Sequence, residues 1–475
     1  MHKISTRVLL VLIISFSQIA IAVPIDWKGS LELDSTLLTD FRRTNDNCDG
    51  DKGMCITPEG EDNARFQNMI LQLNPNIIVN DGVTIKGELS TGNAGGKTST
   101  ARSQTMGSST TRPGGNLTNA GSYYTQSTSS GLNLNQLYAE IYADTALYRV
   151  GRFAKHFGLG AVINAGTESN DMFYSGYEGF EAQLEIQNFH LDLMWAKLST
   201  NDEPNGSNDA YESSVSALYD DAKKELKFGI YYALREVEGD NDLYNGGSQN
   251  VTLIDVFFSK SWEDFSFGLE IPMMSGEVGG AYGTDDADFD ANAYILETKY
   301  QINTKWNVGL NAGMVKGDNG DTDSFEGLYL HPNYQLAQIM YRYNYYGFNN
   351  NDYNVFDSSI VNSTYAQLFA HYKKGEWGWK LSALWAKADQ TAKEGESYYN
   401  HAKRALSDAV ATEDQSDDLG YEFDVAFEYQ WNPSVMFSGF LGYHVVGDYY
   451  AFSDDEDELS TTNVMSTGMR LAVEF

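Results

Sequence analysis

The ionisable residues of this 475-residue chain fall two apart again and again. Glu32 and Asp34, Lys86 and Glu88, Glu297 and Lys299, and Glu422 and Asp424 each flank one uncharged residue, and Glu181–Glu185 and Asp424–Glu428 keep the same parity. Glu140, Asp192, Arg235, Glu270, Arg342, Lys380 and Arg470 stand in similar alternating surroundings, as do Lys28, Lys227 and Glu474. Charges spaced this way lie on one face of a strand and can line a watery passage, where they act on ions through their field. Other chemistries are poorly supplied. The seven histidines are scattered, and His190, His371 and His444 have no serine elbow to serve, so no enzyme is expected. No phosphate-binding or dinucleotide loop is present, so no cofactor is expected. The acidic runs Asp285, Asp286, Asp288, Asp290 and Asp454 to Glu458 lack the calcium-loop spacing. They read as solvated surface, and no metal site is expected. Cys48 and Cys55 are close enough in sequence to form a disulfide in an oxidising compartment.

The elements that carry these charges alternate with a period of two. Tyr421, Phe423, Val425, Phe427, Tyr429 and Trp431 share one face, with Glu422, Asp424, Ala426, Glu428 and Gln430 on the other. Phe180 to Ile186 and Leu226 to Leu234 behave alike, which specifies strands rather than helices. The connections come in two kinds that take turns. Asn80-Asp81-Gly82, Gln187-Asn188, Glu263-Asp264, Lys374-Gly375 and Asn432-Pro433-Ser434 are tight. Segments 44–62, 93–131, 158–175, 200–210, 239–248, 279–289, 389–417 and 451–460 are long, polar and rich in Gly, Ser and Asp. Strands of about ten residues with short turns at one end and long loops at the other are the layout of a transmembrane β-barrel.

The start of the chain agrees. Residues 1–22 combine Lys3 and Arg7, an apolar run from Val8 to Ile14, and Ala20-Ile21-Ala22, the pattern of a secretory signal peptide. A formal net charge of −34 argues against a nucleic-acid partner. Strands are expected at 26–42, 63–79, 83–92, 132–143, 147–156, 176–186, 189–199, 211–220, 224–238, 249–261, 265–278, 290–302, 305–317, 362–373, 376–388, 418–431, 435–450 and 461–475. The expected fold is therefore all-β: one antiparallel up-and-down transmembrane barrel over 23–475 with about eighteen strands, sixteen to twenty remaining open. The open question is 318–361, where Leu336–Tyr346 alternates well enough to add a hairpin or else folds over the barrel mouth. Trp262, Trp306, Trp377, Trp379 and Trp431 beside short turns, and Tyr345, Tyr346, Tyr449 and Tyr450 near long loops, are assigned to two interfacial aromatic girdles.

The last strand alternates from Thr467 to Phe475, and the chain stops on Phe475. Here it resembles bacterial outer-membrane proteins, whose final Phe is read by the barrel-assembly machinery. Leu147–Gly160, LYRVGRFAKHFGLG, resembles the strand before the constriction loop of many porins. Leu328–Tyr334, followed by 362–389, is similar to alginate-export-like barrels of Gram-negative delta-group (Bdellovibrio-like) bacteria. The resemblance implies passive transport across an outer membrane, contact with its lipid and lipopolysaccharide, and assembly as a homotrimer; it names no solute.

On this layout the alternate face lines the lumen, and acids outnumber bases there. A wet pore with a modest preference for cations is expected, because so many dry charges would cost several kcal/mol each. The constriction is assigned to loop 158–179, with Glu168 and Asp171 facing the wall bases Arg149, Arg152 and Lys155; loop 93–131 is the rival. Arg149 and Arg152 have opposite parity, so a regular strand cannot aim both inward. The function expected is a passive channel for small hydrophilic solutes. An export pore for a polysaccharide and a structural or adhesive barrel are the alternatives.

Overall fold

A computed structural model describes residues 24–44, 62–91, 104–105, 111–113, 125–127, 132–168, 171–199, 209–237, 249–278, 287–349, 353–407, 409–453 and 459–475. The candidate signal peptide, Cys48, Cys55, most of loop 93–131 and the run 454–458 lie outside the described residues.

Eighteen strands form the wall. They are β1 Ile25–Thr39, β2 Ala64–Asn80, β3 Val83–Ser90, β4 Asn133–Tyr142, β5 Ala146–Ala154 and β6 Gly176–Ile186. Next come β7 Phe189–Ser199, β8 Ala210–Asp221, β9 Leu226–Val237, β10 Gln249–Trp262, β11 Phe265–Val278 and β12 Asp288–Gln301. The circuit ends with β13 Trp306–Val315, β14 Ser363–Lys374, β15 Trp377–Lys387, β16 Asp418–Asn432, β17 Val435–Val446 and β18 Val464–Glu474. Each pairs antiparallel with the next, and β1 closes on β18 in a register that sets Asp34 opposite Arg470. Each expected strand overlaps one of these, with ends that differ by up to four residues.

Closure leaves no edge, so every strand satisfies its backbone within the sheet, as a hydrocarbon surrounding demands. The terminal residue joins the seam. Phe475 N–H donates to Gly29 O at 3.0 Å, and Gly29 N–H donates back at 2.8 Å. A Cβ at Gly29 would meet the Phe475 ring at 2.7 Å, so the seam needs glycine there.

The outer face is an apolar belt of residues such as Ile230, Tyr294, Leu368, Leu381, Phe423 and Val425, all exposed. The tryptophans next to short turns stand outward on its rim, with Trp262 stacked on Phe265 and Trp377 on Trp379. The second girdle differs from expectation. Tyr345, Tyr346 and Tyr449 are buried inside the mouth, and the outward aromatics toward the long loops are Trp195, Tyr421 and Tyr443. The misassigned tyrosines belong to segments that fold inward, where their rings fill space rather than meet lipid.

Among the described residues of 318–361 only Ser324–Phe325 pairs with the wall, in parallel with Asp288–Phe289 at the start of β12, and none forms a spanning strand. β13 pairs directly with β14 across their whole length, which leaves no edge for a hairpin. The segment instead enters the mouth. Leu328, Leu330, Tyr334, Leu336, Ala337 and Met340 pack on inward wall residues Ala291, Ala293, Ile295, Val315, Tyr365 and Leu384. This upper part of the lumen is therefore a packed core, which corrects the expectation of a uniformly wet pore. The sequence sign is the inward face of β12, where Ala291, Ala293 and Ile295 precede the charged Glu297 and Lys299.

Candidate functional site

Two inserted segments meet inside the barrel, and buried wall carboxylates hold both. The loop after β5 runs inward from Lys155. Phe157 and Ile163 pack on Tyr231 and Phe257, and Leu159 N–H and Ala161 N–H both donate to the Glu270 carboxylate. On the other side, Gln338, Ile339 and Met340 N–H all donate to Glu422 at 2.7–2.8 Å. Both carboxylates have 0% exposed surface. Amides committed to Glu422 cannot pair in a sheet, which explains why the alternation of 336–346 yields no strand.

The two segments also clasp each other. His331 N–H donates to Ala161 O at 2.7 Å. Phe173 N–H donates to Asn333 Oδ1 at 3.1 Å, and Asn333 Nδ2 returns a bond to Phe173 O at 2.8 Å. Tyr334 O–H reaches Glu297 at 3.0 Å. Asn333, Glu212 and the buried Asp255 were not singled out from sequence; only their polar place on an inward face or turn marks them.

Below the inserted loops the lumen holds a cavity of about 920 Å³ that reaches the short-turn end at Pro433 and Phe475. Lys28, Glu32, Glu88, Arg149, Lys155, Glu168, Glu181, Asp192 and Glu474 line it. One wall carries a chain of alternating charge. Lys86 pairs with Glu140 at 2.8 Å, Arg149 bridges Glu140 at 3.2 Å and Glu181 at 3.3 Å, and Lys155 pairs with Glu181 at 2.5 Å. The bases of the expected constriction thus engage acids of their own wall rather than acids of the loop. Glu168 reaches the cavity, while the Asp171 carboxylate accepts Glu168 N–H at 2.9 Å within the loop. Arg152 is placed differently from expectation. It lies opposite Leu137 on the outer face and pairs with Glu178 there, as its parity requires.

A second cavity of about 390 Å³ lies across the lumen. Asp34, Arg342, His371, Lys373, Lys380, Glu428 and Arg470 line it. Arg342 comes from the inserted segment, not a strand, and donates to Gln335 at 2.7 Å. Elsewhere Arg235 pairs with Glu212 at 2.6 Å, and Lys299 and Glu185 stand exposed on the inward face near the short turns.

The loop 388–417 covers the inserted segment. His401 is buried, and its Nε2 accepts Asp318 N–H at 2.8 Å. Burial pushes its pKa down to about 3. The docked loop holds it neutral, whereas the undocked loop takes a proton near the ordinary value of about 6.5. Docking is therefore fully stabilised above pH ~6.5 and loses about 1.4 kcal/mol per unit as pH falls toward the docked value. Hydrogen exchange of residues 388–417, corrected for the intrinsic pH dependence of amide exchange, should rise steeply between pH 7 and 5. His401→Asn should flatten that rise, and a pH-independent wild type would refute the assignment.

A closed eighteen-stranded barrel with an apolar belt outside and charge inside is an outer-membrane β-barrel of porin architecture. More particularly, residues 103–459 match the family model described as alginate export, and the chain belongs to that family. No curated protein sequence matches it. Among solved structures it is similar to a BenF-like porin from Pseudomonas fluorescens Pf-5. That match has a TM-score of 0.53 and 10% identity, covering 95% of this chain and 98% of that one. It is also similar to Pseudomonas aeruginosa OccK2 (OpdF) in complex with glucuronate. There the TM-score is 0.52 and the identity 10%, covering 95% and 96%. At such identity the likeness concerns the fold.

Proposed function

We propose that this protein is a passive outer-membrane channel for small hydrophilic solutes, with a modest preference for cations. One observation carries the reading: the short-turn cavity is lined by Glu32, Glu88, Glu168, Glu181, Asp192 and Glu474 against only Lys28, Arg149 and Lys155. In a narrow, low-dielectric passage an excess of one sign concentrates the opposite ion. The BenF-like porin among the structural matches supports the channel part of this reading. The inward charged residues are then pore-lining, and the inserted loop 158–179 narrows the path. Recognition of Phe475 by the assembly machinery, a disulfide between Cys48 and Cys55, and a homotrimer accompany the proposal as separate expectations.

A second reading, export of an anionic polymer, has its own observation. The second cavity sets Arg342, Lys373, Lys380 and Arg470 against Asp34 and Glu428. Planar-bilayer recording under a KCl gradient separates the two. Ohmic steps with a cation-favouring reversal potential are expected. An anion-favouring potential would transfer the assignment to the export reading, and silence from folded protein would point to a structural barrel.

A further inference from the structure

Arg43 sits where a cation has no evident reason to be. It lies just beyond β1 on the long-loop side, with 8% of its surface exposed. Among the described residues no carboxylate comes within ion-pair distance of it, and its Nε has no hydrogen-bond partner. Its guanidinium is sandwiched between aromatic rings, 4.3 Å from the Tyr345 centroid and 3.8 Å from that of Tyr450. Burying a charge without a counter-ion costs several kcal/mol, which stacking on two rings offsets only in part.

The charge lines a cavity of about 110 Å³ in the long-loop mouth, with Tyr343 forming the wall between it and the second lumen cavity. Asp357 is an acid on its rim, but Arg404 holds it at 2.8 Å, so it is already engaged. His444 also lines the cavity. Its Nε2 is 3.0 Å from Leu419 O, a carbonyl that can only accept, so Nε2 carries the proton. Its Nδ1 is then a bare, buried acceptor without a partner.

The backbone around the cavity is strained. Eight described non-glycine residues have positive φ, and four of them line this one cavity: Arg43 (66°), Tyr341 (63°), Asn362 (49°) and Arg404 (55°). Most of the others sit in tight turns between strands, where such φ values are ordinary. Strain gathered around an unpaired buried charge marks a place shaped to receive something.

We propose that this cavity is a binding site for one small organic anion. The anionic group pairs with Arg43, a ring-shaped body lies against the tyrosine walls, and a hydroxyl can donate to His444 Nδ1. The inference is independent of the channel reading, because it concerns equilibrium binding in the loops rather than conduction.

Isothermal titration of the full chain, refolded in detergent micelles, tests it. The probes are 4-hydroxybenzoate, phenyl phosphate and the uncharged 4-hydroxybenzamide. Saturable binding of at least one anion is expected, with the amide weaker by about 10- to 100-fold, the worth of a hydrogen bond to a charged group. Which anion binds tells a carboxylate site from a phosphate site. Arg43→Gln should weaken the anion by the same factor. If that variant does not fold, Ser359→Phe fills the cavity while keeping Arg43, and should abolish binding in a barrel with wild-type heat-dependent gel mobility. Equal binding of anion and amide, no saturable binding of either anion, or undiminished binding in a folded variant would overturn the proposal.

Discussion

Glu422→Ala is expected to release residues 318–361 from the wall, raise single-channel conductance at least about twofold, and expose the segment to protease. Three adjacent amides depend on that one carboxylate, at 2.8, 2.7 and 2.7 Å. Left buried without an acceptor, each costs about 1–3 kcal/mol. Undocking into water removes that cost, so the segment should leave rather than stay unsatisfied. The wall itself should not suffer. Asp424 lies on the same inward face, and Ser382 Oγ donates to it at 3.2 Å. Removing Glu422 takes a like charge away from Asp424. The barrel's thermal midpoint should therefore hold while the mouth loosens. Glu422→Gln keeps one carbonyl acceptor and should show a smaller gain. Unchanged conductance and unchanged proteolysis in Glu422→Ala would show that apolar packing alone holds the segment.

Arg470→Leu should destabilise the closed barrel itself, by about 3–5 kcal/mol. Arg470 stands on the closing seam, where its Nε and Nη2 both donate to the Asp34 carboxylate, the latter at 3.2 Å, and its Nη1 is 3.8 Å from Glu32. Without it, Glu32 and Asp34, two residues apart on the inward face of β1, lose the base that faces them across the seam. The expected result is a lower urea midpoint for loss of the compact electrophoretic form. Removing the acids as well should restore most of the loss, since an apolar replacement of a whole buried ion cluster is close to neutral. The combined variant Glu32→Leu, Asp34→Leu, Arg470→Leu tests this. A single Arg470→Leu variant as stable as wild type would mean that backbone pairing at the seam suffices.

The two variants divide the molecule as its physics does, into a wall and its contents, and the sequence speaks unequally about them. The wall was legible because side chains alternate strictly along a strand, so one parity choice commits a whole segment. Phe423 and Val425 outward dictate Glu422 and Asp424 inward, and the structure places them so. The same rule separated Arg149 from Arg152 before their partners were known. Strand count followed from turn chemistry, because two-residue connections at Gln187-Asn188 and Glu263-Asp264 leave little freedom.

The contents were not legible, because nothing local decides them. Leu336–Tyr346 has the periodicity of a strand, but the direct pairing of β13 with β14 leaves it no partner and Glu422 takes three of its amides. Tyr345 and Tyr449 have the composition of a membrane girdle, and only the inward path of their loops buries them around Arg43. Glu270 and Glu422 look like any lumen acid in sequence; that they hold loop amides depends on contacts spanning 109–111 and 82–84 residues. By itself, the sequence determined the barrel, the course of its strands to within a few residues and the parity of the charges along them, since alternation and turn type are local properties. Only the tertiary structure decided which of those charges meet water, which anchor loops and where a cation has no carboxylate partner among the described residues, since burial and pairing depend on segments far apart in the chain.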